Sequence, residues 1–330
     1  MPAEGGGVSS QGCDAVGKAV RVMFESGQLV LPEPRGGNTA RRWAALAGWG
    51  RSDLAVARLA EGHVDAVAIL AEAGLPPRAG ALYGVWAARP GGAGARLERD
   101  RNGRPAVRGR VRFCSGARML DRALVVAQPR PDGSSPVLVE VALDRDGISV
   151  DPGVWRADGM AATDTSDVSF KSVAVDRMVG GPGWYTGRPG FAAGGGGVAA
   201  VWWGGAAGLW DRTSEHLRRG GGGDPHALAH LGELHAMLAA AHALLRDTAY
   251  ELDALPRGDH KVSVATIRGA VEHACREVID RVPRILGPAA WSGDGHLAGQ
   301  LADLQMYVRQ HHGERDNAEL GAALLAGCGR

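Results

Sequence analysis

The spacing of apolar residues changes twice along this 330-residue chain, and that change restricts the possible folds more than any other feature. Up to about residue 80, apolar residues recur with the period of an α-helix. Residues 81–180 instead contain short runs rich in Val, Phe and Trp, and residues 181–330 return to the helical period. This order predicts an α+β protein with an N-terminal helical domain (1–80), a middle β domain (81–180) and a C-terminal helical domain (181–330).

The first segment contains one clear helix and two shorter ones. The clear helix spans 52–72, with Ser52 as its N-cap, and Gly74 followed by prolines is a stop signal. Shorter helices are expected at 39–46 and 14–25. We therefore expect an all-helical N-terminal domain.

Turn signals divide the middle segment into short strands. Asn102-Gly103 and Asp132-Gly133 are its strongest hairpin signals. Strands at this spacing are typical of an antiparallel sandwich or barrel, and we expect a barrel. The predicted strands are 82–86, 107–113, 123–127, 137–143 and 168–175.

Four apolar stripes predict four long helices in the last segment. The first, 191–217, is apolar on nearly every face, which indicates deep burial. The others run over 226–255, 264–282 and 297–308, with short connections between them. We therefore predict a C-terminal four-helix bundle.

Charge, hydropathy and cysteine usage exclude several classes of protein. The 37 Lys and Arg residues nearly balance the 36 Asp and Glu residues, so nothing supports sequence-independent nucleic-acid binding. No apolar run approaches ~18 residues, and residues 1–7 contain neither a basic nor an apolar signal region. The four cysteines lie far apart without a CxxC pair, which fits free thiols. We expect a cytoplasmic protein that binds neither nucleic acid nor membrane.

Standard catalytic motifs are absent, since the sequence has no GxSxG, P-loop or HExxH. The glycine runs 194–197 and 220–223 follow no predicted strand of a βαβ unit, so we interpret them as loops or close-packing positions. The densest polar cluster is HHGERD at 311–316. Adjacent histidines on a helix point about 100° apart, so no metal site is predicted there. One hypothesis is that these histidines transfer protons. The other is that they lie at a solvated helix end or a subunit contact.

Four segments, taken in order, resemble the acyl-CoA dehydrogenase family of flavoproteins. The first is VRFCSGARMLDRALVVA at 111–127, and the second is GMAATDTSDVSFKSVAVDRMVG at 159–180. Residues 188–217 resemble the first helix of the family's C-terminal bundle, and residues 275–321 resemble its last two helices. By this resemblance the chain is a divergent member of the family, with a shortened N-terminal helical domain.

The resemblance implies FAD as the cofactor, held between the β domain and the bundle. It places Phe113 and Ser115 at the flavin, with Ser115 or nearby amides, such as that of Gly116, bonding its ring. Arg284 and Gly287 fall where the family contacts FAD across a dimer. The implied reaction is α,β-desaturation of an acyl thioester, so the expected substrate is an acyl-CoA or a related small molecule. The electron acceptor stays unknown.

The family's catalytic Glu aligns with His311, and Glu314 follows three residues later. His311 and Glu314 are therefore the two candidate acid/base residues, with His311 ranked first. Two alternatives remain open beside desaturation. A flavin-dependent monooxygenase on the same fold would use a histidine near this loop, and a non-catalytic subunit of a heteromeric acyl-CoA dehydrogenase would need no base at all.

The apolar stretch 198–210 carries Trp202, Trp203 and Trp210. Exposed apolar patches of that size usually mark interfaces. We therefore expect a homo- or hetero-oligomer that associates through the C-terminal helices.

Overall fold

The computed structural model describes residues 10–129 and 134–327, and the structural statements below concern those residues. The predicted Asp132-Gly133 turn lies outside them. The helices are α1 (Ser10–Glu25), α2 (Thr39–Ser52), α3 (Leu54–Glu72), α4 (Trp184–Gly187), α5 (Gly190–Arg219), α6 (Pro225–Ala254), α7 (Lys261–Gly293), α8 (Gly295–Tyr307) and α9 (Glu314–Gly327). The strands are β1 (Tyr83–Trp86), β2 (Ala95–Arg99), β3 (Pro105–Cys114), β4 (Arg122–Gln128), β5 (Val137–Ala142), β6 (Ile148–Asp151), β7 (Ser166–Ala174) and β8 (Arg177–Val179).

The chain forms two compact units. The first contains the described parts of 1–31, 58–157 and 161–191, and the second contains 32–57, 158–160 and the described part of 192–330. The change from helices to strands and back falls near residues 80 and 180, as predicted. The division into three domains stays a prediction.

The strands of the first unit form one open sheet instead of the predicted barrel. Its strand order is β6-β7-β3-β2-β4-β5-β8, and β1 pairs with β4. The short strands β6 and β8 end the path at opposite edges, so among the described strands no ladder closes the sheet. The sheet is also not wholly antiparallel, because β4 pairs in parallel with both β1 and β2. The predicted Asn102-Gly103 hairpin is confirmed by the antiparallel pairing of β2 and β3.

A buried carboxylate connects the strands on one face of this sheet. Glu140 of β5 is fully buried and accepts hydrogen bonds from the Tyr83 hydroxyl (2.9 Å), Arg122 Nε (2.5 Å) and Arg177 Nε (2.5 Å). Burial opposes its ionisation, but these donors outweigh burial and lower the pKa of the Glu140 carboxyl. These three hydrogen bonds connect β5 with β1, β4 and β8.

In the second unit, α5 packs its glycines directly against the backbone of α2. A Cβ added to Gly204 would lie 2.0 Å from the Ala47 carbonyl oxygen, and one on Gly196 would lie 2.3 Å from the Trp43 ring. The run 194–197, predicted to be a loop or a close-packing position, lies inside α5 and includes such a position. The run 220–223 forms the connection after α5.

The tryptophans of α5 do not form an exposed patch. Trp202 is fully buried. Trp203 Nε1 and Trp210 Nε1 donate to the Leu238 and Leu231 carbonyls of α6, at 2.8 and 3.0 Å. The expected apolar surface is therefore covered by α6 of the same chain.

The C-terminal region has five described helices after residue 190, not the predicted four. Gly313, with φ of 56°, separates the end of α8 from α9. None of the described residues of α9 is buried, and the sequence analysis did not predict this helix. A four-helix bundle stays an expectation.

One described helix, α6, is long and apolar enough to cross a membrane by length and composition alone. Only 22% of its most apolar window is buried. Its inner face packs Leu234, Leu238, Leu245 and Leu252 into the second unit.

Candidate functional site

The end of β3 exposes an aromatic ring. Phe113 has φ of 61°, a left-handed conformation that is costly for a residue with a Cβ, and its side chain is 44% exposed. The Arg112 guanidinium lies 4.7 Å from the ring centroid, and the Trp155 ring packs edge-on at 6.5 Å. The strained backbone therefore holds Phe113 outward, where the ring can contact a flat ligand.

Three hydroxyl groups stand behind this strand end. Ser115 Oγ lies 3.0 Å from Thr165 Oγ1, which lies 2.7 Å from Thr163 Oγ1. Trp86 Nε1 donates to the Ser115 carbonyl at 3.1 Å. Thr163 and Thr165 are buried whereas Ser115 is half-buried, so the two threonines fix the orientation of the Ser115 side chain.

The turn after Ser115 is locked to the loop before β7. Gly116 has φ of 70° and its N–H donates to the Thr163 carbonyl at 2.8 Å. The Asp164 carboxylate accepts from the Arg118 backbone N–H and from its guanidinium. The Gly116 N–H thus has a partner within the chain, and its contact with a flavin stays a prediction. Gly116 permits the tight turn that presents Phe113 and Ser115.

The predicted residues Arg284 and Gly287 lie near the end of α7, in the second unit. Arg284 is exposed and pairs with Asp280 at 2.7 Å. Gly287, with φ of 68°, interrupts the helix, and nothing lies within 4 Å of the position of an added Cβ. The chain therefore changes direction at Gly287, and the contact of Arg284 and Gly287 with FAD stays a prediction.

His311 is buried and Glu314 is exposed. The His311 side chain is 4% exposed and follows the turn that ends α8. Its Nδ1 accepts the Gly313 N–H at 3.2 Å, so the proton of the neutral ring is on Nε2. Burial lowers the His311 pKa, although the negative charges of Asp316 and Glu272 act to raise it. The imidazole is therefore neutral at pH 7.

Phe113, Ser115 and Gly116 belong to the first unit, whereas Arg284, Gly287, His311 and Glu314 belong to the second. Within the second group, His311 Nε2 lies 4.0 Å from the position of a Cβ on Gly269, near the start of α7. Arg284 lies 15 residues further along this helix, a rise of about 22 Å, so the structure does not bring Arg284 and Gly287 next to His311. No group of three or more His, Cys, Asp or Glu side chains suited to a metal ion occurs in residues 10–129 and 134–327.

Sequence reasoning missed Asp303 and the two threonines behind Ser115. The Asp303 carboxylate accepts the Met160 N–H at 2.5 Å, and burial raises its pKa to about 6. Met160 is held at φ of 58°. The sequence feature that could have revealed Asp303 is an acidic residue within the apolar stripe of α8. No sequence feature marks the two threonines, because they belong to an ordinary polar loop.

No protein-family model and no curated protein matches this sequence. The dibenzothiophene monooxygenase TdsC from Paenibacillus sp. A11-2 has a similar structure, with a TM-score of 0.78 and 20% identity over 96% of this chain and 97% of that chain. TdsC has also been crystallised with FMN and indole.

Two further solved structures share the fold. Butyryl-CoA dehydrogenase from Megasphaera elsdenii has a TM-score of 0.76 and 16% identity, over 96% of this chain and 90% of that chain. Methanesulfinate monooxygenase MsuC from Pseudomonas fluorescens has a TM-score of 0.71 and 17% identity, over 97% of both chains. The chain therefore has the acyl-CoA dehydrogenase fold in a divergent form, as its sequence resemblance predicts.

Proposed function

We propose that this chain is a flavin-dependent monooxygenase acting on a small organic molecule. The observation that carries the proposal is the loop after α8, where the buried titratable side chain is His311 and Glu314 is exposed. Many desaturases of this family place their carboxylate base in this loop. TdsC and MsuC, two monooxygenases with this fold, support the choice.

The strand end of the first unit suits a flavin. An outward aromatic ring, Phe113, beside the half-buried Ser115 hydroxyl offers a stacking surface and a polar contact for a heteroaromatic ring system. FAD is the cofactor that the sequence resemblance implies, and FMN is the one bound to TdsC. By the family resemblance, the segment that contains Arg218 and Arg219 corresponds to one that holds the FAD phosphates. In this chain both arginines form ion pairs with Glu215.

When bound and reduced, a flavin would supply the two electrons needed to place one oxygen atom of O2 in the substrate and release the other as water. The chain's own contribution is proton transfer. His311 holds its proton on Nε2 because Nδ1 accepts from Gly313, so the neutral ring can donate a hydrogen bond through Nε2; it becomes a general acid when Nδ1 takes up a second proton and releases the Gly313 N–H. Ser115, fixed by Thr165, orients the ring system that Phe113 contacts.

Desaturation of an acyl thioester is the second candidate, supported by the shared fold of butyryl-CoA dehydrogenase. It would assign the base to Glu314, which is exposed in the single chain. A partner subunit covering Glu314 would then be needed. A non-catalytic role in a hetero-oligomer is the remaining alternative.

One pair of experiments separates these possibilities. The purified chain is loaded with FMN or FAD, desalted and examined by visible absorbance; retained flavin argues against the non-catalytic role. Loaded protein is then tested in two ways. Reduced flavin, indole and labelled O2 should give a product carrying one labelled oxygen. Bleaching of the flavin by butyryl-CoA without oxygen would instead support desaturation.

A matched pair of variants tests the flavin surface. Phe113→Ala should lower flavin retention because it removes the outward ring. Phe191→Ala is the control, since Phe191 is 42% exposed against 44% for Phe113. Equal flavin retention in both variants would contradict the assignment of Phe113.

A further inference from the structure

A cleft of about 750 Å3 opens in the second unit beside α7 and α8. This volume is within the range of small-molecule sites in proteins. The side chains that line it include Arg276, Ile279, Ala302, Gln305, Met306 and Arg309. The wall is therefore part apolar and part cationic.

A single buried carboxylate holds both arginines. Glu272 is 4% exposed, and its oxygens accept Arg276 Nε at 2.9 and 3.0 Å. Arg309 Nη2 lies 3.6 Å from the same carboxylate. Glu272 therefore holds the two guanidinium groups close together at the wall of the cleft, and Arg276 Nη2 also contacts His273 Nδ1 at 3.3 Å.

Two positive charges, on Arg276 and Arg309, lie at the wall of the cleft, and Glu272 beneath them carries one negative charge. Asp280, which also lines the cleft, pairs with Arg284 at 2.7 Å, so an arginine outside the lining balances its carboxylate. Planar guanidinium groups suit the oxygens of carboxylates and phosphates.

We propose that this cleft binds an organic anion: a carboxylate or phosphate group attached to an apolar chain or ring. The anionic group contacts Arg276 and Arg309, with Gln305 beside them. The apolar part lies along Ile279, Ala302 and Met306. The site consists only of residues of the second unit and does not depend on the flavin assignment.

Binding calorimetry on the purified full chain tests this proposal with three eight-carbon probes. Octanoate and octyl phosphate carry the anion, and octylammonium carries the opposite charge on the same chain. At least one anionic probe should bind at least tenfold more tightly than octylammonium. Equal or tighter binding of octylammonium would overturn the proposal.

Variants then locate the binding site. Arg309→Gln should weaken binding of the anion about tenfold, the usual effect of losing one charge-assisted hydrogen bond. It keeps the Arg276–Glu272 pair, so the fold should survive. Arg315→Gln is the control, because Arg315 is exposed and does not line the cleft. Met306→Gln should weaken octanoate while leaving acetate unchanged. If Arg309→Gln, with an unchanged melting temperature, bound octanoate like Arg315→Gln, the cleft would not be the site.

Discussion

His63 stabilises the first unit only while its ring is neutral. The ring is 5% exposed, and Nδ1 accepts the Tyr83 N–H at 3.2 Å. Burial, with a smaller contribution from Arg21, lowers the His63 pKa to about 4, against an ordinary value of about 6.5. Between these two values the unfolded chain binds the proton and the folded chain does not.

Above pH 6.5, we therefore expect the contribution of His63 to the free energy of unfolding to be constant. It should fall as the pH drops towards 4, by about 3 kcal/mol in total. Urea denaturation at several pH values measures the slope. His63→Gln should flatten it, whereas His226→Gln, at an exposed position, should leave it unchanged. An identical slope in both variants would contradict the assignment.

His311 gives the sharpest test of the proposed chemistry at the level of one residue. His311→Gln should retain flavin but lower turnover by about 100-fold, the usual scale for losing a general acid or base. Glu314→Gln is the matched comparison, because it changes an exposed side chain three residues away. Full turnover in His311→Gln would make His311 a structural helix-end residue. Loss of activity in Glu314→Gln alone would move the role to Glu314.

The glycines of α5 show how an element's neighbours determine its composition. Gly204 cannot accept a Cβ, because the nearest atom would be the Ala47 carbonyl oxygen, at 2.0 Å in a helix backbone that cannot rotate away. Gly204→Ala should therefore reduce the free energy of unfolding by about 1–3 kcal/mol, the usual cost of overpacking.

Gly299 of α8 is the matched control, since it lies in the interior of another helix and an added Cβ would contact nothing within 4 Å. Gly299→Ala should stabilise the chain by up to about 1 kcal/mol through helix propensity. Urea denaturation of both variants gives the comparison. Destabilisation of equal size in both would mean that close packing is not the reason for the glycines in α5.

The sequence predicts the elements whose side chains alternate or repeat around a core. β3, β4, β5 and β7 are found near their predicted positions because their inward residues are apolar. β2 was missed because Ala95–Arg99 is largely charged and has only one fully buried residue. The N-cap of the third helix was predicted at Ser52, one residue too early. Helix α2 continues through Ser52, and Asp53 caps α3 by accepting the Val56 N–H at 2.8 Å.

The order of helical and β segments was predictable from the sequence, but the closure of the sheet was not, and the site was predictable only in part. Resemblance gave the position of Phe113 and Ser115, and the structure adds why they are presented: left-handed backbone at Phe113 and hydroxyl partners at Thr163 and Thr165. These partners come from a loop 50 residues away in sequence, and no local pattern encodes such a pairing. The barrel was wrong for a similar reason, since strand composition does not specify whether β6 meets β8.

Because α6 covers the tryptophans of α5, we expect any oligomer of this chain to form through the outward face of α6 instead. Leu228 and Tyr250 are 51% and 58% exposed on this face, and the exposed residues between them include Gly232, Ala236, Ala239 and Ala243. Small residues allow two helices to approach closely. We expect a second copy of this chain to pack here, through α6 of each copy.

Light scattering at micromolar concentration should therefore give a mass of at least twice that of the 34.3 kDa chain. Leu228→Glu combined with Tyr250→Glu should reduce the mass towards that of the monomer, because two charges would be buried without partners. Leu324→Glu on α9, at a residue that is 50% exposed, is the control for a surface charge elsewhere. A monomeric wild-type chain would remove the need for any such surface. Dissociation only in Leu324→Glu would instead place the interface on α9.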